Sequence, residues 1–157
     1  MGVVQARLDE LGIRLPAVVP PVAAYVPAVV HAGIVHTAGQ LPFVEGALPA
    51  TGKVGEGAGL VPAEDAAGYA RLAALNAIAA AADAAGGVER LQRVVKVTGF
   101  VASDPSFTGQ PAVVNGASLL LGEIFGDAGR HARSAVGVAV LPLDAPVEIE
   151  VVFALAP

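Results

Sequence analysis

The chain has 157 residues, 55% of them hydrophobic and 4% aromatic, and a net charge of −5. That length supports a sizeable core, which this composition must build from Val, Leu, Ile and Ala. Its nine Lys and Arg are scattered, without the basic stripe that follows a phosphate backbone, and its lack of Cys excludes disulfides, thiol chemistry and Cys-ligated zinc.

The N-terminus, MGVVQARLDELGI, carries acids within its first ten residues and no long apolar run. It does not read as a secretory signal, and a cytoplasmic location is expected. Val4 to Leu11 predicts a short amphipathic helix, with Val4, Leu8 and Leu11 on one face. Between Arg14 and Glu45 no charged residue occurs, a length that could span a bilayer on hydropathy alone. Pro16, Pro20, Pro21, Pro27 and Pro42 would break such a helix repeatedly, so extended chain and short strands are expected instead. Leu15 to Val26 reads as proline-rich extended chain. Ala28–His31 and Ile34–Ala38 read as strands around a tight Ala32-Gly33 turn.

Leu41 to Gly59 is glycine-rich and reads as loop, with room for a short strand near Lys53. Its glycines do not match a phosphate-binding pattern. Pro62 to Ala85 is the strongest helix: Pro62 suits the first helical position, Glu64 and Asp65 favour the positive end, and Gly86-Gly87 stops it. Its expected apolar face is Leu72, Leu75, Ile78 and Ala82. Arg90 to Ala102 predicts a strand. Gln110 to Phe125 predicts a helix burying Val113, Ala117, Leu120, Leu121 and Ile124. His131 to Phe153 then reads as two aliphatic strands joined by a turn at Pro142–Pro146.

The order strand, strand, helix, strand, helix, strand, strand predicts one α+β domain over residues 1–157. It has two layers, a mixed sheet with two main helices on one face. Residues 1–24 form a short helical and extended N-terminal segment. The uncovered sheet face is expected to be aliphatic and to drive self-association as a symmetric homo-oligomer.

Arg133 opens the first of the last two strands, and no acidic residue occurs from there to Leu143. A cation on an apolar strand needs an anionic partner. The partner is either a protein carboxylate, with Glu148 or Glu150 as candidates for a structural bridge, or the carboxylate of a ligand. A guanidinium fits a carboxylate bidentately. If the two strands pair as a plain hairpin with Ala139 facing Ile149, Arg133 and Glu148 lie about 23 Å apart and on opposite faces. A shared site would then require residues from two subunits or a different strand order. His31, His36 and His131 are separated in sequence, with no acidic residue at ligand spacing, and read as surface or satisfied histidines, not as a metal site.

Several segments resemble the Rid (YjgF-like) family of reactive-intermediate deaminases, also called the endoribonuclease L-PSP family. They are ARSAVGVAVLP followed by VEIEV, TAGQLP at Thr37–Pro42, KVTGFVAS at Lys96–Ser103 and VVNGASLLLGEIFG at Val113–Gly126. The resemblance runs from about Tyr25 to Phe153, and the segment before it is similar to that of a longer variant subgroup. It implies a chorismate-mutase-like fold, a homotrimer with ligand pockets between subunits, and hydrolysis of small imino and enamino acids to 2-oxo acids and ammonia without metal or organic cofactor. By the resemblance, Arg133 grips the substrate carboxylate and Glu148 acts on the water. Tyr25, Ala38, Gly39, Asn115 and Ala135 line the pocket. The deaminases commonly carry Cys at the position of Ala135 and Ser at that of Ala38, so the implied pocket is more apolar here. Three functions follow: an imine and enamine deaminase, a non-catalytic binder of small carboxylates, and a ribonuclease, which the acidic charge disfavours.

Overall fold

The computed structural model describes residues 2–18 and 24–157. Five of the expected seven main elements match within a residue, and the order is the one expected. With the short N-terminal helix, the elements are α1 (Val3–Glu10), β1 (Ala28–His31), β2 (Ile34–Thr37), α2 (Ala63–Ala85), β3 (Leu91–Ala102), α3 (Gln110–Phe125), β4 (Ala132–Val138) and β5 (Val147–Leu155). Part of the predicted extended run, residues 19–23, lies outside the described residues.

Local chemistry explains the boundaries. Ala32 and Gly33 have φ of 48° and 76°, the paired left-handed geometry that matches the twist of a two-residue hairpin between β1 and β2. Pro62 sits at the N-cap of α2, one position earlier than expected, and Gly86 closes that helix in the left-handed conformation. The Leu41–Gly59 region forms only isolated bridges, including Val54 with Val61 and Ser103, so no strand forms near Lys53.

The sheet order is β1-β2-β5-β3-β4. β3 and β4 run parallel, as α3 connects them across the sheet, and β5 is antiparallel to both β2 and β3. The expected hairpin between β4 and β5 is therefore not formed. β3 lies between them, and the chain passes its end through Pro142–Asp144, where Leu143 and Asp144 adopt φ of 58° and 56°. The sequence reading failed here because a hairpin is the shortest connection, whereas the slot between β2 and β3 offers β5 a partner on each edge.

α2 and α3 cover one face. Ile149, Val151 and Phe153 of β5 and Val94, Val97 and Val101 of β3 are fully buried beneath them. Of the expected face of α2, Ile78 and Ala82 are buried in the core. Leu72 and Leu75 are only half-buried, and the packed stripe is Ala66, Ala70, Ala73, Ala74, Ala77, Ile78 and Ala81. Small side chains let the helices approach closely. A methyl group added at Gly116 of α3 would collide with the Ala67 carbonyl of α2, and one at Gly99 of β3 with Val114. The buried face expected for α3 is observed, with Val114 added to it.

The other sheet face is not uniformly aliphatic. The strand registers place Lys96, Thr98, Glu148, Glu150 and His36 there beside Val29, Phe100, Val136 and Val152. Alternation along β5 is regular, Glu148 and Glu150 outward and Ile149 and Val151 inward. Among the described residues no helix is long and apolar enough to cross a membrane.

Helix approach at Gly116 sets a first test. Gly116→Ala should destabilise the fold by about 1–3 kcal/mol, because the obstructing atom is backbone and cannot rotate away. Urea unfolding measures this, and an unchanged midpoint would show that the two helices are free to separate.

Candidate functional site

Arg133 lies on β4 with its side chain on the helix-covered face, because it pairs with buried Val97 in the parallel ladder. Its guanidinium reaches α3. Nη1 donates to Asn115 Oδ1 at 2.7 Å and to Ser118 Oγ at 3.2 Å, and Nη2 donates to the Pro111 carbonyl at 3.3 Å. All three acceptors are neutral. The ion pairs among the described residues are Arg7–Glu10 and Arg71–Glu123, and neither involves Arg133. The expected alternative of an intrachain bridge to Glu148 or Glu150 is therefore not what the fold makes. A guanidinium has five N–H donors. Among the described residues the three bonds leave Nε–H and one Nη2–H, on nitrogens of the same guanidinium, for another acceptor.

Asn115 and Ser118 are three residues apart on α3, so both face β4. Ser118 was not singled out in the sequence, although its spacing from Asn115 was a readable signal. His131, read as a satisfied or surface histidine, proves to be satisfied. Its ring lies 2.9 Å from Ser118 Oγ and 2.6 Å from the Gly129 carbonyl. Asn115, Ser118, Gly122, Gly129, Arg130, His131 and Arg133 line one open cleft of about 370 Å³. Arg93 of β3 donates to the Arg130 carbonyl at 3.0 Å. Basic residues scattered in sequence are thus gathered locally by the fold.

Glu148 sits elsewhere. Arg133 pairs with Val97 and Glu148 with Phe100. The two are therefore three residues apart along the strands and two strands apart across them, roughly 14 Å at backbone level. They also face opposite sides of the sheet. The separation is smaller than the hairpin expectation because β3, and not the turn, sets the register; the opposite facing is as expected. Within one chain the two side chains do not share a site.

Glu148 is half-buried against the TAGQ segment. Gln40 pairs with Ile149 through both backbone bonds, 2.8 and 2.9 Å, and the Val151 N–H donates to Thr37 Oγ1 at 3.0 Å. Three steps from Thr37 to Gln40 thus face two steps from Val151 to Ile149, a one-residue bulge that pushes Ala38-Gly39 out of the ladder. A Cβ at Gly39 would strike the Glu148 carboxylate. The absence of a side chain at Gly39 lets the carboxylate lie against the backbone, and no positive φ demands a glycine there. Burial pushes the Glu148 carboxyl above the usual carboxylate range, and the neighbouring Glu150 charge adds to this.

The remaining predicted residues divide between these places. Ala135 is on β4, two residues from Arg133, opposite Gly99 and packed on the main core. Ala38 and Gly39 belong with Glu148. Tyr25 is 58% exposed at the entrance to β1. Among the described residues no three His, Asp or Glu side chains gather as a metal site.

Residues 5–155 match the family described as "YjgF/chorismate_mutase-like, putative endoribonuclease". The chain belongs to the YjgF family. Protein TCP17 of Trypanosoma cruzi is 45% identical over 150 residues, covering 95% of this chain and 92% of that protein. The crystal structure of Agrobacterium tumefaciens Atu1372 superposes with a TM-score of 0.88 at 41% identity, covering 98% of this chain and 93% of that one. Escherichia coli TdcF with bound serine superposes with a TM-score of 0.63 at 26% identity, covering 90% and 94%. The YjgF chorismate-mutase-like fold expected from the motifs is the one observed.

The raised carboxyl of Glu148 gives a pH test. A folded-state pKa above the unfolded one means that the native state binds more protons. Its stabilising contribution is then present below the unfolded pKa and is lost as pH rises through the folded value. Glu148→Gln should therefore raise the melting temperature at pH 7, with the gain fading as pH falls below the ordinary carboxylate range. A gain that grew at low pH would contradict the burial argument.

Proposed function

We propose that this YjgF-family protein hydrolyses small 2-imino and enamino acids to 2-oxo acids and ammonia, at clefts between the subunits of a homotrimer. The observation that carries the reading is Arg133. Its guanidinium is held in place by three neutral acceptors and, among the described residues, keeps two N–H donors free. Such a group is preorganised for a carboxylate. The serine in the TdcF structure carries an α-carboxylate of this kind.

In this reading Arg133 grips the substrate carboxylate, while Asn115 fixes the guanidinium and Ala135, beside it on β4, lines the pocket. Tyr25, Ala38 and Gly39 belong to the same pocket in the assembly. Holding the carboxylate sets the position of the adjacent C=N carbon. Water adds to that carbon, the nitrogen takes up a proton, and the resulting carbinolamine expels ammonia as the C=O forms. Glu148 orients the water and accepts its proton, then returns a proton to the departing nitrogen. A carboxyl whose proton affinity is raised by burial suits that double role. Because Arg133 and Glu148 face opposite sides of one sheet, the Glu148 that meets a given Arg133 comes from another copy. The edge position of β4 and the exposed Val136, Val140 and Leu143 near it support an assembly there. Neither a metal nor an organic cofactor takes part.

A second reading, a non-catalytic binder of small carboxylates, is favoured by Ala38 and Ala135. They stand where the deaminases commonly carry a hydroxyl and a thiol. The two readings separate in one assay: 2-iminopropionate is generated in place by an amino-acid oxidase and trapped with semicarbazide. Deamination lowers the trapped fraction, and binding alone leaves it unchanged.

Light scattering coupled to size exclusion should report about three chain masses, and a stable monomer at micromolar concentration would remove the shared site. Arg133→Ala should weaken 2-oxo acid binding by roughly 2–5 kcal/mol while the assembly stays folded. Arg133→Lys should also bind poorly, since a point charge cannot reproduce the fork. Loss of thermal stability with unchanged affinity would make Arg133 structural. Glu148→Gln should lower turnover by roughly 10²–10⁴-fold with carboxylate binding retained, and equal rates would eliminate Glu148 as the base.

A further inference from the structure

One atom that can only accept fixes the hydrogen-bond roles beside Arg133. The Gly129 carbonyl oxygen lies 2.6 Å from His131 Nδ1, so Nδ1 carries the proton. In the neutral ring Nε2 then has only a lone pair. Ser118 Oγ is 2.9 Å from Nε2 and must donate its hydrogen to it. Ser118 Oγ accepts in turn from Arg133 Nη1 at 3.2 Å. The bonds form a directed chain from Arg133 to Ser118, to His131, to the Gly129 carbonyl.

A proton added at His131 Nε2 reverses one link. Nε2–H becomes the donor to Ser118 Oγ, which now accepts from both His131 and Arg133. The serine hydrogen has to find a new acceptor. Ser118, His131 and Arg133 line the same cleft, so an anion held there is in position to be that acceptor.

We propose that Ser118 and His131 are a protonation-coupled positioning pair for an anion held at Arg133. Protonation of His131 turns the Ser118 hydroxyl from a donor to histidine into a donor to the bound carboxylate, and it adds a positive charge to the cleft. The inference rests on reading Arg133 as the carboxylate anchor. Linkage is reciprocal, so protonation of His131 tightens carboxylate binding and binding takes up a proton.

The other charged groups around the cleft do not supply this coupling. Arg130 and Arg133 line it and stay charged. On α3, Glu123 is held by Arg71 of α2 at 2.9 Å. Asp127 is exposed in the turn after α3, and its backbone carbonyl accepts from the Arg130 N–H. On β3, Arg93 is bonded to the Arg130 carbonyl, and Lys96 is turned to the opposite sheet face, on Ser134. Glu148 and Glu150 of β5 also point to that opposite face. A Glu148 from a neighbouring copy is thus the competing source of pH dependence.

Pyruvate, whose carboxylate stays ionised throughout, is titrated into the assembled full chain between about pH 5.5 and 8. Calorimetry in two buffers of different ionisation enthalpy reads the proton uptake. The wild type should bind roughly five- to tenfold more tightly at the low end. His131→Gln should bind with no pH dependence in this range. Ser118→Ala should show a reduced dependence although His131 is intact, and Glu148→Gln should keep the full one. Dependence lost in Glu148→Gln and kept in His131→Gln would overturn the inference, as would equal wild-type affinity at both ends. Binding that ignores Arg133→Ala, or no pyruvate binding at all, would instead remove the anchor and the inference with it. Should the His131 or Ser118 variant fail to fold, ¹⁵N shifts of the wild-type imidazole decide. The free protein should show the Nδ1–H tautomer, moving toward the doubly protonated ring on pyruvate addition; an Nε2–H tautomer would overturn the proposal.

Discussion

The structure depends on where β5 sits. A strand placed between β2 and β3 has both backbone edges satisfied, and its inward side chains, Ile149, Val151 and Phe153, are fully buried. Those residues form the floor on which α2 packs, while α3 packs on β3 and β4. The same placement separates β4 from β5, makes β4 an edge strand and turns the Glu148–Glu150 face away from the helices. The site geometry follows from that one insertion.

The second consequence is electrostatic. A half-buried arginine on the helix-covered side of a sheet is often joined by an acid, since an unpaired and partly desolvated charge is unfavourable. Here the fold supplies carbonyl, amide and hydroxyl oxygens instead. They orient the guanidinium without cancelling its charge, which leaves the positive field available to a ligand. Glu148 shows the complementary arrangement. It is half-buried beside a like charge and against bare backbone at Gly39, and its proton affinity rises accordingly. A cation kept charged and a carboxyl drawn toward neutrality are what carboxylate capture and proton transfer require. That they lie on opposite faces of one sheet makes the proposed chemistry a property of an assembly.

The close-packed side of the molecule uses a different device. Alanine and glycine along α2 and α3 bring backbones together where larger residues would hold them apart. This is why the leucines of α2 that look like the core in a periodicity argument lie at its margin. In a helix so rich in alanine, closest approach goes to the smallest side chains, and Leu72 and Leu75 fill the flanks.

The sequence by itself determined most elements and singled out Arg133 as a cation without an acidic neighbour on its strand. Turn and cap chemistry at Ala32-Gly33, Pro62 and Gly86 is local, acting over a few residues, and could be read directly. The apolar period of α3 was equally legible, and the motifs around Arg133 and Glu148 carried the family. Strand order was not legible. It depends on which edges compete for β5, a comparison between distant segments that no local pattern contains. The outward polar face was missed for the same reason, because alternation shows only once the register assigns each residue a side. Nor could the chain show that Asn115, Ser118 and His131 converge on Arg133. Two come from one helix and one from the turn before β4, and only the packing of α3 on the parallel β3–β4 pair brings their polar atoms within hydrogen-bond distance.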